Sequence, residues 1–196
     1  MWETKYDYIF AKTYHPNIDS SRIYVRCDIN KLIDESSLND NTKMISKKIF
    51  GIVAEAEAKV HGKNIDEVHF HEVGAVDSIV DIVGTAICID YLGIDEIMAS
   101  SVNVGSGTVK CQHGIMPVPA PATVEILRGV PIYSGDVRKE MTTPTGAAIL
   151  KVLVSQFGVM PELEIDKIGY GLGKRELEEH ANVLRVMTGK KKTLKH

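Results

Sequence analysis

Two histidines, a glutamate and two aspartates fall within the thirteen residues His69-Phe-His-Glu-Val-Gly-Ala-Val-Asp-Ser-Ile-Val-Asp81. Imidazoles and carboxylates ligate divalent nickel, zinc, manganese or iron, and they also exchange protons near neutral pH. Spacing decides what the density means. With Glu67–Glu72 extended, His69 and His71 leave one strand face about 6–7 Å apart, and Glu72 leaves the other. With a helix opening near Ala75, Asp77 and Asp81 stack at i,i+4, about 5–6 Å apart. Gly74 lets the chain turn sharply between the two. A strand, a corner and a helix would aim these groups at one point. His69, His71, Glu72, Asp77 and Asp81 are therefore the acid/base candidates, and His69, His71, Asp77, Asp81 and His113 the metal-ligand candidates.

A second constellation is Met141-Thr-Thr-Pro-Thr-Gly-Ala-Ala148. Thr143 reads as an N-cap with Pro144 at the first helical position, where free N–H groups and the helix dipole favour an anion. Thr142, Thr143, Thr145 and Gly146 are the phosphate candidates, with simple N-capping as the plainer alternative. The run lacks the Gly-Lys-Ser/Thr of a Walker A loop. Lys110 and His113 flank a rigid turn rich in proline. Gly169-Tyr-Gly-Leu-Gly-Lys-Arg175 resembles Gly-x-Gly but continues into Lys-Arg-Glu rather than an apolar helix, which argues against a dinucleotide fold. Lys174 and Arg175 remain possible phosphate contacts.

The elements that must position these groups are legible from Thr42 onward. Met44, Ile45, Ile49, Ile52, Val53, Ala56 and Val60 recur at helical spacing, and Gly62 supplies a stop. A second helix is expected from about Ala75 to Leu92, apolar enough to be mostly buried, with Cys88 in the core and Gly93 as its end. A strand over Glu96–Val104 is expected to turn at Gly105-Ser-Gly107 and pair with Val109–Gln112. A helix follows through about Leu127, then a short strand over Val130–Tyr133, a helix over Thr145–Phe157, and strands near Glu164–Gly169 and Asn182–Met187. Ile29–Ile33 begins a short helix, and Tyr6–Tyr14 reads as a strand before a turn at His15. Interleaved strands and helices predict an α/β or α+β domain, a layered mixed sheet with about four helices in a single domain.

Composition narrows the function. The chain has 196 residues, 44% hydrophobic and 25% charged, and a net charge of −3, so nucleic acid is not the expected partner. No apolar run reaches the about 18–20 residues that span a bilayer, and no secretory leader is legible. Cys27, Cys88 and Cys111 fit neither a disulfide framework nor a Cys-x-x-Cys site. A reducing cytoplasm is expected. Whether Cys111 serves as a soft metal ligand stays open. The basic run Lys190–Lys195 reads as a solvated, frayed tail.

Ala54-Glu-Ala-Glu-Ala-Lys-Val-His-Gly62, His69–Gly84, His113-Gly-Ile-Met-Pro-Val-Pro-Ala-Pro-Ala-Thr123 and Thr142–Ala148 together resemble the LarC nickel-insertion family. The likeness is close over residues 42–189 and poor over 1–41, with 190–196 as a basic tail. It implies a lyase- or chelatase-type cyclometallase that inserts nickel into pyridinium-3,5-bisthiocarboxylic acid mononucleotide. The product is the nickel-pincer cofactor of lactate racemase, with a carbon–nickel bond as well as nickel–sulfur bonds. In the full-length family CTP and manganese or magnesium take part. On that reading the 69–81 acids and histidines handle nickel or accept the pyridinium proton, and the 142–146 segment holds the substrate phosphate.

Three departures shape the expectation. An Asp-Cys-Phe-Ser-Gly-Ile-Ser-Gly-Asp type segment is missing, the His-rich linker shrinks to His15, and the chain stops after Val183–Gly189 without the CTP-binding domain. The chain therefore resembles the core of the N-terminal module, expected to need a C-terminal CTP-binding domain or separate chain, to self-associate, and not to bind CTP and its metal alone. A non-catalytic metal-binding or scaffolding module and a metal-dependent hydrolase are the alternatives.

Overall fold

A computed structural model describes residues 26–68, 76–111, 114–173, 177 and 181–192. Among these are five α-helices and eight strands. Helix α2, Asp40–His61, is the centre. The Asn39 side chain caps it by accepting from the Thr42 N–H at 2.8 Å, and Gly62 ends it at φ 59°, with the Lys63 N–H donating to the Ala58 carbonyl. A left-handed terminus is a position where glycine avoids Cβ strain. The α2 face bearing Ser46, Ile49, Phe50, Val53 and Ala54 is fully buried. Helices α1 (Arg26–Glu35), α3 (Val76–Leu92), α4 (Pro121–Ile126) and α5 (Pro144–Leu153) all pack against α2. Ile29 and Ile33 of α1, Ile82 of α3, Ile126 of α4, and Ala147 and Ala148 of α5 complete one apolar cluster with Phe50.

Helix α3 runs antiparallel to α2. Its last turn is tied to the start of α2, because Asn39 and Asn41 donate to the two Asp90 carboxylate oxygens at 2.7 and 2.6 Å. These bonds hold the Asp90 carboxyl below its ordinary value. The thirteen steps from Asp77 to Asp90 rise about 20 Å, so the first turn of α3 lies well away from the Asn39 and Asn41 contacts.

The strands pair both ways. β1 (Met98–Ala99) runs parallel to β6 (Gln156–Phe157), and β2 (Val102–Asn103) parallel to β5 (Ile132–Tyr133). β3 (Thr108–Cys111) is antiparallel to β4 (Gly114–Pro117), and β7 (Leu163–Leu172) to β8 (Val183–Lys191). The layered α/β expectation holds, with mixed parallel and antiparallel pairing. The β7–β8 ribbon keeps Ile168, Tyr170, Leu172, Leu184 and Val186 exposed.

Several local expectations need correction. Residues 108–111 pair with β4 rather than with 96–104, since Gly107 (φ 85°) and Gly114 (φ 96°) open a separate hairpin. Helix α5 ends at Leu153, and Gln156–Phe157 forms β6 after the Ser155 N–H donates to the Ile97 carbonyl. Glu67 closes a 3-10 turn over Ile65–Glu67 instead of opening a strand. On α3, Cys88 is exposed, as are Tyr91 and Leu92. Met44 and Val60 also face solvent, although they fit the helical spacing. Lys190 and Lys191 belong to β8, and Lys191 Nζ pairs with Glu96 at 3.1 Å. The expected Tyr6–Tyr14 strand lies outside the described residues.

Candidate metal and phosphate site

Asp77 stands in the first turn of α3, where a carboxylate suits the helix dipole. Its Oδ1 accepts from the Ser78 N–H at 2.9 Å. Asp81 follows one turn later. Ser78, Ile82 and Ala86 form the buried stripe of α3, and both aspartates lie on its exposed side. The expectation of a mostly buried helix is thus corrected: Asp77, Asp81, Cys88, Tyr91 and Leu92 are all exposed. Partial burial, then the neighbouring Asp77 charge, raises the Asp81 carboxyl above the ordinary 3.8. The pair is open to solvent, acidic and self-repelling, which is what a cation relieves.

A carboxyl raised in the folded state binds its proton more tightly there than in the unfolded chain. Its stabilising contribution is complete below 3.8 and is lost as pH rises through the raised value. Asp81→Asn should therefore melt about 1–2 °C above the parent at pH 7, since like charges at i,i+4 cost about 0.2–0.5 kcal/mol. The gap should close below pH 4 in calorimetry at the two pH values. A gap independent of pH would refute the repulsion.

The start of α5 is built by a latch. Asn103, at the end of β2, accepts from the Gly105 and Gly135 N–H groups through Oδ1 at 3.0 and 3.3 Å. Its carbonyl accepts from Thr142 Oγ1 at 2.7 Å. Ser134 Oγ donates to the Gly105 carbonyl at 2.7 Å, and Gly105 bridges Glu140. Thr143 is the N-cap, its Oγ1 accepting from the Gly146 N–H at 3.3 Å, and Pro144 follows at the first helical position. The Thr142 hydroxyl is therefore committed to Asn103, whereas Thr143 keeps its own proton to donate. Thr145 and Gly146 are half-buried beside it.

Asn103 was not singled out by sequence reasoning. An asparagine two residues before a glycine turn is the signal that marks it, because Asn side chains accept from the backbone two residues on. Helices α3 and α5 pack on each other as well as on α2, so the aspartate pair and the threonine helix start belong to neighbouring elements. His69, His71, Glu72 and His113 lie outside the described residues. Among the described residues no three ligand side chains cluster as a metal site.

A separate groove of about 290 Å³ lies between α2, α4 and α5, lined by Ile52, Lys59, Glu125, Arg128 and Lys151. Lys59 Nζ and Arg128 Nε reach the two Glu125 oxygens at 2.6 and 2.8 Å. The Lys59 hydrogen bond chiefly holds Glu125 low. This groove carries its own counterions.

The chain matches the nickel insertion protein family over residues 11–196. It belongs to that family. A pyridinium-3,5-bisthiocarboxylic acid mononucleotide nickel insertion protein of Clostridium kluyveri is 61% identical over 162 residues, covering 83% of this chain and 40% of the relative. The protein of that name from Clostridium acetobutylicum is 61% identical over 166 residues, covering 85% and 39%. That of Geobacillus kaustophilus is 47% identical over 191 residues, covering 95% and 46%. This nickel insertion family member thus spans less than half the length of these relatives. No solved structure matches it. No helix among its described residues is long and apolar enough to cross a membrane.

Proposed function

We propose that the chain is the nickel-handling module of a nickel insertion protein acting on pyridinium-3,5-bisthiocarboxylic acid mononucleotide. The observation that carries this is the 61% identity to relatives bearing that name, over a stretch that includes both constellations. Nickel is the substrate metal. Asp77 and Asp81, with His69, His71 and His113, would hold it, and Glu72 or a neighbouring histidine would take the proton released when the pyridinium carbon exchanges hydrogen for nickel. The two thiocarboxylates supply sulfur to the same ion.

Thr143 and Thr145 would receive the substrate phosphate at the α5 start, with Gly146 letting it approach the backbone and Thr142 positioning that turn through Asn103. Residues 42–189 would form the working module, flanked by 1–41 and by 190–196, of which Lys190 and Lys191 continue β8. CTP, with manganese or magnesium, would bind a C-terminal part supplied by a further domain or chain, in the cytoplasm. The open, mutually repelling aspartate pair favours cation binding over a purely structural role.

The test supplies the C-terminal part of a full-length relative, CTP and manganese to the chain, and follows nickel incorporation into the mononucleotide by mass spectrometry. The Asp77→Asn, Asp81→Asn double variant should lose at least tenfold in product. Product within twofold of the parent would remove the aspartates from the site. Nickel binding with no product from the parent chain would favour a metal-binding module without turnover.

A further inference from the structure

The apolar residues of β7 fall out of phase: Leu163 and Ile165 are odd-numbered, whereas Ile168, Tyr170 and Leu172 are even-numbered. In a regular strand the two sets would leave opposite faces. The register with β8 reunites them. Ile165 lies opposite Gly189 and Ile168 opposite Met187, so Asp166 is an extra residue at a bulge between the two sets. Residues paired across antiparallel strands share a face. Leu163, Ile165, Ile168, Tyr170 and Leu172 therefore form one stripe, joined across the ribbon by Val183 and Met187.

The stripe is uncovered among the described residues. Tyr170 is 61% exposed and Leu172 82%, and the apolar cluster around Phe50 takes in nothing later than Phe157. Both outer edges of the ribbon are unpaired among the described residues. A two-stranded ribbon is marginally stable by itself in water and needs a further strand or a packed face. The opposite face is less apolar: Leu184 and Val186 lie across from Gly171 and Gly169, flanked by Glu164, Lys167 and Lys190. A contiguous exposed apolar face of this kind marks an interaction surface.

Area and charge decide what covers it. The 10 residues of β7, at about 3.3 Å each and beside a partner strand about 4.8 Å away, present on the order of 300 Å². Two copies stacked face to face would bury about 600 Å² in total, well under the about 1,200–2,000 Å² of stable contacts between separate proteins. That total falls within the about 600–1,500 Å² of contacts between parts of one chain, where tethering supplies the effective concentration. This chain spans 46% of the Geobacillus kaustophilus relative, so more than half of that protein is available as a tethered partner. The exposed Arg185 sits on the apolar face opposite Tyr170, and none of the paired residues on that face is acidic. A second copy therefore offers Arg185 no carboxylate from this face.

We propose that this face is the docking surface for the part of the longer nickel insertion relatives that this chain does not span, through an apolar surface carrying a carboxylate toward Arg185. Docked, that part covers Ile168, Tyr170 and Leu172 and leaves Leu184 and Val186 in solvent. The docking rests on the proposed reading that a further domain or chain completes the module.

The test uses two whole proteins: the 196-residue chain, and the full-length Geobacillus kaustophilus relative with its matching stretch replaced by this chain. Hydroxyl-radical footprinting is run on both without nickel, mononucleotide or CTP. Oxidation of Ile168, Tyr170 and Leu172 should slow at least fivefold in the longer protein, and that of Leu184 and Val186 should stay within twofold. Tyr170→Asp, at an exposed position, should return Ile168 and Leu172 to the rate of the short chain. The unsubstituted relative, footprinted at the positions aligned with these residues, should show the same one-sided protection.

Equal rates on the two faces in both long proteins would overturn the docking surface. So would a dimer of the short chain in sedimentation velocity that Tyr170→Asp dissolves, since the face would then belong to a second copy. Nickel incorporation by a long protein whose stripe stays unprotected would sink the docking alone. A protected stripe in long proteins that form no product would uphold the docking and sink the nickel-insertion role.

Discussion

Gly105→Ala is expected to lower stability by about 3–4 kcal/mol, and with it the melting temperature by about 6–16 °C. Gly105 sits at φ 79°, a conformation that an L side chain adopts only with strain. The larger cost is steric. A Cβ here would lie far inside the van der Waals envelope of the Lys139 carbonyl oxygen and 3.1 Å from Met141 Cγ. Backbone cannot swing aside as a flexible side chain does. The bridge to Glu140 and the Ser134 hydrogen bond to the Gly105 carbonyl would part together, and the Thr142 end of the latch with them.

Gly93→Ala is the matched control. Gly93 is at φ 59° but has nothing within 4 Å of its Cβ position, so its loss should stay near 1 kcal/mol. Chemical denaturation of the three proteins decides the matter. If Gly105→Ala is no worse than Gly93→Ala, the latch does not hold the start of α5.

Phe50→Ala should cost about 3–5 kcal/mol, the range for emptying a large buried aromatic site. Phe50 has no exposed surface, and it belongs to the cluster that joins α2 to Ile29 and Ile33 of α1 and Ile82 of α3. The cavity would open where several helices meet, so no single neighbour can relax to fill it. Met44→Ala, on the same helix but 60% exposed, should change stability by under about 0.5 kcal/mol. Urea midpoints at matched slope compare the two. A Phe50→Ala loss under about 1 kcal/mol would mean that α2 is not the hub of the core.

The sequence made α2 legible because a 3.6-residue period and a terminal glycine agree on one answer, while the Asn39 cap went unread. A capping threonine followed by a proline, Thr143 and Pro144, located the start of α5 but not its end. Val152, Leu153 and Val154 satisfy helix and strand alike, and a parallel partner at Met98–Ala99 takes the chain over after Leu153. That partner is 58 residues away, beyond the reach of local patterning.

On α3 the composition overstated burial, because apolar residues occur on every side while Ser78, Ile82, Gly84 and Ala86 are buried and Ile79 and Val83 only half-buried against the core. The acidic spacing at Asp77 and Asp81 was legible, since i,i+4 geometry follows from the helix alone. Asn103 was not, because its contacts to Gly135 and Thr142 come from segments 32 and 39 residues on.

The two parallel pairs have a consequence for how the chain reaches this arrangement. Parallel strands cannot be joined by a tight turn, so each pair must wait for a long loop to close. In the chain, α4 lies between β2 and β5, and both α4 and α5 lie between β1 and β6. Each pair is just two residues long, too short to nucleate order by itself. The helices around α2 should therefore assemble early, with the strand pairs closing late as clasps. The same clasps should open first under mild denaturation, exposing amides at Val102 and Val104 to exchange while the α2 interior remains protected.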